Sequence, residues 1–170
     1  MLEHPARVVK MGPTVKLTRL TGRHAADLAM LAADDWDALG FVARAQRLRA
    51  RGERETFAVF DASHLVGVAM LGRDPAATER AELGYWIGPR ARGLGYATAA
   101  AEQLLARAFT RMAVVAVFAY CSDANHASAR VLAKLGFRLV GVARDSTLGD
   151  ETMRRYELTR SEWRSGARAT

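Results

Sequence analysis

The sequence predicts an α/β fold, a sheet of about seven strands with about four helices in one domain. Three observations carry this prediction. Leu83, Tyr85 and Ile87 alternate with Gly84 and Trp86 in β-favouring residues, and Gly88-Pro89 ends the run because proline cannot donate to a ladder. The period then becomes helical, with Leu94, Ala97, Ala101, Leu104, Leu105, Ala108 and Met112 recurring between Glu102, Gln103, Arg107 and Arg111. Val114 to Tyr120 is nearly all apolar and rich in β-branched residues, which reads as a strand buried on both faces. A chain of 170 residues suits one domain, and 50% hydrophobic with 25% charged residues is an ordinary globular composition.

In chain order, residues 1–13 carry Pro5, Gly12 and Pro13 and read as a loose leader, with the domain expected over 14–165. Val15 to Leu20 alternates as a strand, and Thr21-Gly22 precedes a helix with Ala25, Leu28, Ala29, Leu31 and Ala32 on its apolar side. Asp34, Asp35 and Asp37 read as a solvated helix end before a second short helix over 41–51, with Trp36 and Phe41 as core aromatics between helices. Segments 56–60 and 65–71 flank an Asp61-Ala62-Ser63-His64 turn as a hairpin, and the strand over 80–87 follows a polar loop. After the strand at 114–120, Asn125 is an N-cap candidate for a helix with Ala127, Val131 and Leu135 on one side, and Gly136 stands at its left-handed C-cap. Segments 137–142 and 152–158 are the last two strands.

Composition narrows the function. A lone Cys121 excludes an internal disulfide, and no Cys/His cluster suggests a structural metal, so no metal is expected. The start has no apolar signal core and no run of 18 apolar residues occurs, so a cytoplasmic protein with no membrane partner is expected. A net charge of +7 invites nucleic acid, but the 22 arginines are scattered rather than gathered in a stripe interleaved with aromatics, which argues against it as the main ligand.

The glycine turn carries the chemistry. Arg90, Arg92, Gly93, Leu94, Gly95, Tyr96, Ala97 and Thr98 join a strand to the start of a long helix. Unpaired N–H groups and the positive end of the helix dipole attract anions there, and Gly93 and Gly95 expose bare backbone, so a phosphate or pyrophosphate is the expected ligand. No Lys follows either glycine, which excludes a Walker loop. A dinucleotide fingerprint begun at Gly93 would need its third small residue where Thr98 stands, and fits poorly.

Arg92-x-x-Gly95-x-Ala97 resembles the Arg/Gln-x-x-Gly-x-Gly/Ala signature of the GNAT superfamily of acyl-CoA-dependent N-acetyltransferases. Glu82-Leu-Gly-Tyr-Trp-Ile before it, then Asn125-His-Ala-Ser128 and Leu132-Ala-Lys-Leu-Gly136-Phe137-Arg138 after it, extend the likeness in the right order. Tyr156-Glu-Leu158-Thr-Arg-Ser-Glu162-Trp163 closes the chain much as the ribosomal-protein-alanine (Rim-type) branch closes. The resemblance implies a mixed, mostly antiparallel GNAT-like sheet. It places the two N-terminal helices on the acceptor side, and a splay between the strand ending at Ile87 and the strand beginning near Val114 that admits the pantetheine arm. The implied activity is transfer of an acetyl group from acetyl-CoA, as co-substrate, to a primary amine of a protein N-terminus or small molecule, by direct transfer in a ternary complex. A non-catalytic acyl-CoA-binding module is the alternative, and a homodimer is a further expectation.

Such transfer requires a placed thioester, a neutral amine, a stabilised oxyanion and a protonated leaving thiolate. The resemblance assigns the pyrophosphate to the backbone of 93–97 with Arg92 and Arg90, and the pantetheine to the main chain of Trp86 and Ile87 and to Asn125. Glu82, on the strand parity opposite Leu83, is the candidate base or else a structural partner of an arginine. Ser128 is the candidate contact to the CoA sulfur, and the proton role falls to Ser128 or water, because Leu132 stands where many members of the family carry a catalytic tyrosine. His126 is expected to be exposed and Cys121 to be a packing thiol.

Overall fold

The computed structural model describes residues 12–32, 36–145 and 151–168. Most of the leader, together with Asp34 and Asp35, therefore lies outside the described residues. The elements are β1 (Lys16–Arg19), α1 (Ala25–Ala32), α2 (Ala38–Ala50), β2 (Arg54–Asp61), β3 (His64–Arg73), β4 (Arg80–Ile87), α3 (Tyr96–Arg107), β5 (Ala116–Ser122), α4 (His126–Lys134), β6 (Arg138–Asp145), β7 (Glu151–Thr159) and α5 (Arg160–Arg168).

Seven strands form one sheet in the order β1-β2-β3-β4-β5-β7-β6. Neighbours run antiparallel except for the parallel pair β4–β5. The period-two pattern sorts side chains to two faces. On one face Ala69, Leu71, Leu83 and Ile87 pack with Ala101, Leu104 and Leu105 of α3 and Leu132 of α4. On the other, Ala58 and Val68 pack with Leu28 of α1 and Val42 of α2, and Trp36, Phe41 and Trp86 close over them. Trp36 and Phe41 thus serve the core, their rings 5.0 Å apart.

Helix ends follow local chemistry. Asp37 caps α2 by accepting from the Gly40 N–H at 2.8 Å, and Gly136 adopts φ +86° after α4.

The structure differs from the sequence reading in four places. β5 begins at Ala116 and is buried on both faces only over 116–119, with Val115 before it and Tyr120 within it exposed. α3 begins at Tyr96, because Gly93 and Gly95 hold the chain at positive φ until then, so Leu94 sits in the turn, 58% exposed, instead of opening the apolar stripe. α4 buries Leu132 completely, while Ala127 is exposed and Val131 lies at the edge of a cleft. A fifth helix, α5, follows β7, and its Trp163 stacks on Phe109 at 5.2 Å.

Candidate active site

The site begins where two strands stop pairing. β4 and β5 share three rungs, Arg80–Ala116, Ala81–Val117 and Glu82–Phe118. Beyond them β4 stays bonded to β3 as far as Ile87, and β5 stays bonded to β7 as far as Ser122. Between Glu82 and Ile87 the β4 edge that faces β5 therefore has no strand partner, and its backbone groups need one.

This gap widens into a cleft of about 810 Å³. Trp86 and Ile87 of β4, the turn residues Arg92, Gly93 and Gly95, and Tyr96, Ala97 and Thr98 of α3 line one wall. Ser122, Asn125 and Ser128, with Ala127, Arg130, Val131 and Lys134 of α4, line the other.

The turn is shaped by its glycines. Gly93 has φ +77° and Gly95 has φ +90°, values at which a side chain is strained, and Gly95 is the N-cap of α3. Arg92 Nε donates to the Ile87 carbonyl at 3.1 Å, tying the turn to the end of β4. Tyr96 hydrogen-bonds through its hydroxyl to Asp61, which ties the start of α3 to the β2–β3 hairpin and raises the phenol pKa. An exposed glycine backbone at the N-terminus of a twelve-residue helix fits a pyrophosphate, and a pocket of this size fits a nucleotide-linked arm.

The facing wall is set by α4. Asn125 caps it, its Oδ1 accepting from the Ser128 N–H at 3.0 Å. Ser128 Oγ lies 2.9 Å from the hydroxyl of Tyr85, which also reaches the Ser128 carbonyl at 3.3 Å. Burial pushes the Tyr85 phenol up to about 12, with the Ser128 hydrogen bond pulling the other way and Cys121 adding a small rise. At neutral pH the pair is thus two protonated hydroxyls facing the cleft.

The structure separates the remaining sequence-predicted residues. Trp86 packs its indole 5.5 Å from Trp36 on the face away from α3, so it offers the cleft its main chain. Arg90 is exposed, and neither it nor Leu94 is among the cleft's lining residues. Glu82 also lies outside the lining and hydrogen-bonds to Arg54 Nη2, the arginine pairing that its strand parity allowed. His126 is exposed, and Cys121 is buried with its thiol 3.3 Å from the Asn125 carbonyl. Sequence reasoning missed Tyr85, Arg130 and Lys134. For the two cations the signal was present, since 127, 130, 131 and 134 share one side of a helix.

Fold and site together give a cleft between parted strands whose glycine turn and helix N-terminus suit a phosphate-bearing ligand. Residues 14–138 match the acetyltransferase (GNAT) domain, and the chain belongs to that family. It is 31% identical over 108 residues to YdaF of Bacillus subtilis (strain 168), which is named as a ribosomal N-acetyltransferase; the match spans 62% of this chain and 58% of that relative. Among solved structures it resembles Mycobacterium smegmatis RimJ in complex with CoA-disulfide, with a TM-score of 0.76 and 22% identity over 87% of this chain and 83% of that one. It also resembles the microcin C7 self-immunity acetyltransferase MccE in complex with acetyl-CoA and AMP, with a TM-score of 0.76 and 18% identity over 86% of this chain and 92% of that one. At these identities the structural likeness establishes the fold. Among the described residues, no three His, Cys, Asp or Glu are grouped to hold a metal, and no helix is long and apolar enough to cross a membrane.

Proposed function

We propose that the protein is an acetyl-CoA-dependent N-acetyltransferase that moves an acetyl group directly to a primary amine in a ternary complex, using one catalytic domain over residues 14–165. One observation carries the reading: the glycine turn, the unpaired edge of β4 and the Asn125–Ser128 cap of α4 line a single cleft. The name of YdaF supports a protein amine as acceptor, which we take to be a polypeptide N-terminus, with a small-molecule amine as the other class. Acetyl-CoA of the cytoplasm supplies the thioester.

Within this reading each wall has a task. The N–H groups of 93–98 receive the pyrophosphate, and Arg130 and Lys134 add positive charge from across the cleft. The main chain of Trp86 and Ile87 pairs with the pantetheine amides as a strand would. Ser128, backed by the Tyr85 hydroxyl at 2.9 Å, takes the role of the tyrosine absent at Leu132 by relaying to the leaving thiolate the proton that the attacking nitrogen sheds as the carbon–sulfur bond breaks. Glu82, on the last rung before the strands part and on the face shared with α1 and α2, takes the ammonium proton through water.

The test is thermal unfolding with acetyl-CoA at about 100 times its dissociation constant, with ATP and NADH as controls. Stabilisation of about 2.7 kcal/mol raises Tm by about 5–11 °C for a chain of this size. A shift with acetyl-CoA alone, followed by amine-dependent release of free thiol, is the expected result. Absence of any shift, or equal shifts with the controls, rejects the reading; a shift without thiol release toward any amine leaves a binding module.

A further inference from the structure

Among the described residues, α1 and α2 pack on one face of the sheet over its N-terminal half, and further along that face Tyr120 of β5 stays exposed. This part of the face holds a second concavity of about 480 Å³, lined among others by Arg80, Tyr120, Val140, Arg155 and Glu157. The register places it. Glu82 pairs with Phe118, Phe118 with Glu157, and Tyr120 with Arg155, so these residues share the face of Trp86 and flank the point where β4 and β5 part. The concavity therefore adjoins the mouth of the cleft on the side away from α3.

Its charges do not balance. Glu157 accepts from Arg80 Nη1 at 3.0 Å and also lies 3.6 Å from Arg155 Nη2, so two guanidinium groups share one carboxylate. Arg155 lies 4.6 Å over the Phe118 ring, and its buried Nε has no hydrogen-bond partner among the described residues. A guanidinium has five donors in a planar fork suited to carboxylate, and leaving a buried donor unmatched is costly. Tyr120 and Val140, 42% and 49% exposed, give the site an apolar rim.

We propose that this concavity takes an acidic side chain of the acceptor, so that the enzyme selects polypeptide N-termini with Asp or Glu near the amine. The proposal rests on the acetyl-transfer reading, which puts the amine at the mouth of the cleft. Arg155 is one strand from β5, a spacing of about 5 Å, and an extended chain advances about 3.3 Å per residue, so the acidic residue belongs at the second or third position. A polycationic amine is disfavoured by the same charges.

The test uses the full chain with coenzyme A and two peptides, Ala-Asp-Glu-Gly amide and Ala-Asn-Gln-Gly amide, followed by NMR of the arginine Nε–H resonances. The Arg155 signal is assigned by its loss in Arg155→Lys. The acidic peptide should shift that signal saturably and bind at least about tenfold more tightly than the neutral one. Arg155→Met should narrow this preference to under about threefold while keeping the Tm shift with coenzyme A, which shows that the variant is folded. Equal affinity for the two peptides, binding that leaves the Arg155 signal in place, or no binding of either up to about 10 mM would overturn the proposal. A signal that instead moves with protein concentration gives the face to a second copy and also overturns it. Failure of the acyl-transfer reading is seen separately, as absence of the coenzyme A shift or of amine-dependent thiol release from acetyl-CoA.

Discussion

Tyr85 keeps its proton far past neutrality because burial disfavours the phenolate more than the Ser128 hydroxyl assists it. Its folded pKa, near 12, stands above the ordinary tyrosine value, so between about pH 10 and 12 the folded chain holds a proton that the unfolded chain has lost. The contribution to stability is complete below pH 10 and is lost as pH rises through the folded pKa. Denaturant titrations from pH 9 to 12 should show the wild type losing about 2 kcal/mol relative to Tyr85→Phe. The same substitution should lower kcat by about tenfold with the affinity for acetyl-CoA nearly unchanged, because it removes the hydroxyl 2.9 Å from Ser128 Oγ and little of the cleft wall. An unchanged kcat would reduce Tyr85 to packing. Glu82→Gln is the acceptor-side counterpart. If Glu82 acts as base, kcat/KM should fall by about 100-fold and the loss should shrink as pH approaches the amine's own pKa; a loss independent of pH would make the Arg54 pair structural. At this scale the sequence was only half legible. The strand parity of Tyr85 is plain, but that this parity meets Ser128 depends on the placement of α4, forty residues away, and no local pattern encodes it.

At the scale of elements the sequence was more informative, because strands and turns are written in local periods and in backbone demands. β4 ends at Ile87 as its alternation and Gly88-Pro89 require, and the two left-handed glycines stand where a cradle was expected. Gly95→Ala should impose about 1–2 kcal/mol of backbone strain, and its new Cβ would also stand 3.0 Å from Pro13 Cδ. The expected result is a Tm lower by about 2–8 °C together with weaker acetyl-CoA binding, measured by the same thermal assay; a Tm loss with undiminished ligand shift would separate the turn from the ligand. α5 was missed as an element, although its start is a capping box: Glu162 accepts from the Thr159 N–H at 2.9 Å, and Thr159 Oγ1 accepts from the Glu162 N–H at 3.3 Å. The Thr159 hydroxyl and N–H, then Arg138, hold the Glu162 carboxyl below its usual range. A depressed carboxylate contributes stability above its unfolded pKa and loses it as pH falls through the lower folded value. Glu162→Ala should therefore destabilise by about 1 kcal/mol at pH 7, and the gap should close as acid carries the pH down through the lowered folded value. A gap that persists in acid would point to lost packing instead of the cap.

Over the whole molecule the two halves of the sheet are joined by three β4–β5 rungs, by arginines such as Arg80 to Glu157 and Arg73 to the Met112 carbonyl, and by the core that they share beneath α3. The N-terminal half supplies the unpaired edge of β4 and the glycine turn; the C-terminal half supplies α4. A ligand that spans the cleft therefore links two walls whose strands no longer pair beyond Glu82, and a change in opening should be shared by both. Hydrogen exchange with coenzyme A tests this without any turnover. Protection should rise together in 83–87, in 93–98 and in 122–131, while α1 and α2, whose core lies on the opposite face, should exchange as before. Protection confined to 93–98 would describe an anion on a helix end and nothing more. Joint protection of both walls would show that the parting of the strands, legible in the sequence only through family resemblance, is the feature that the ligand reads.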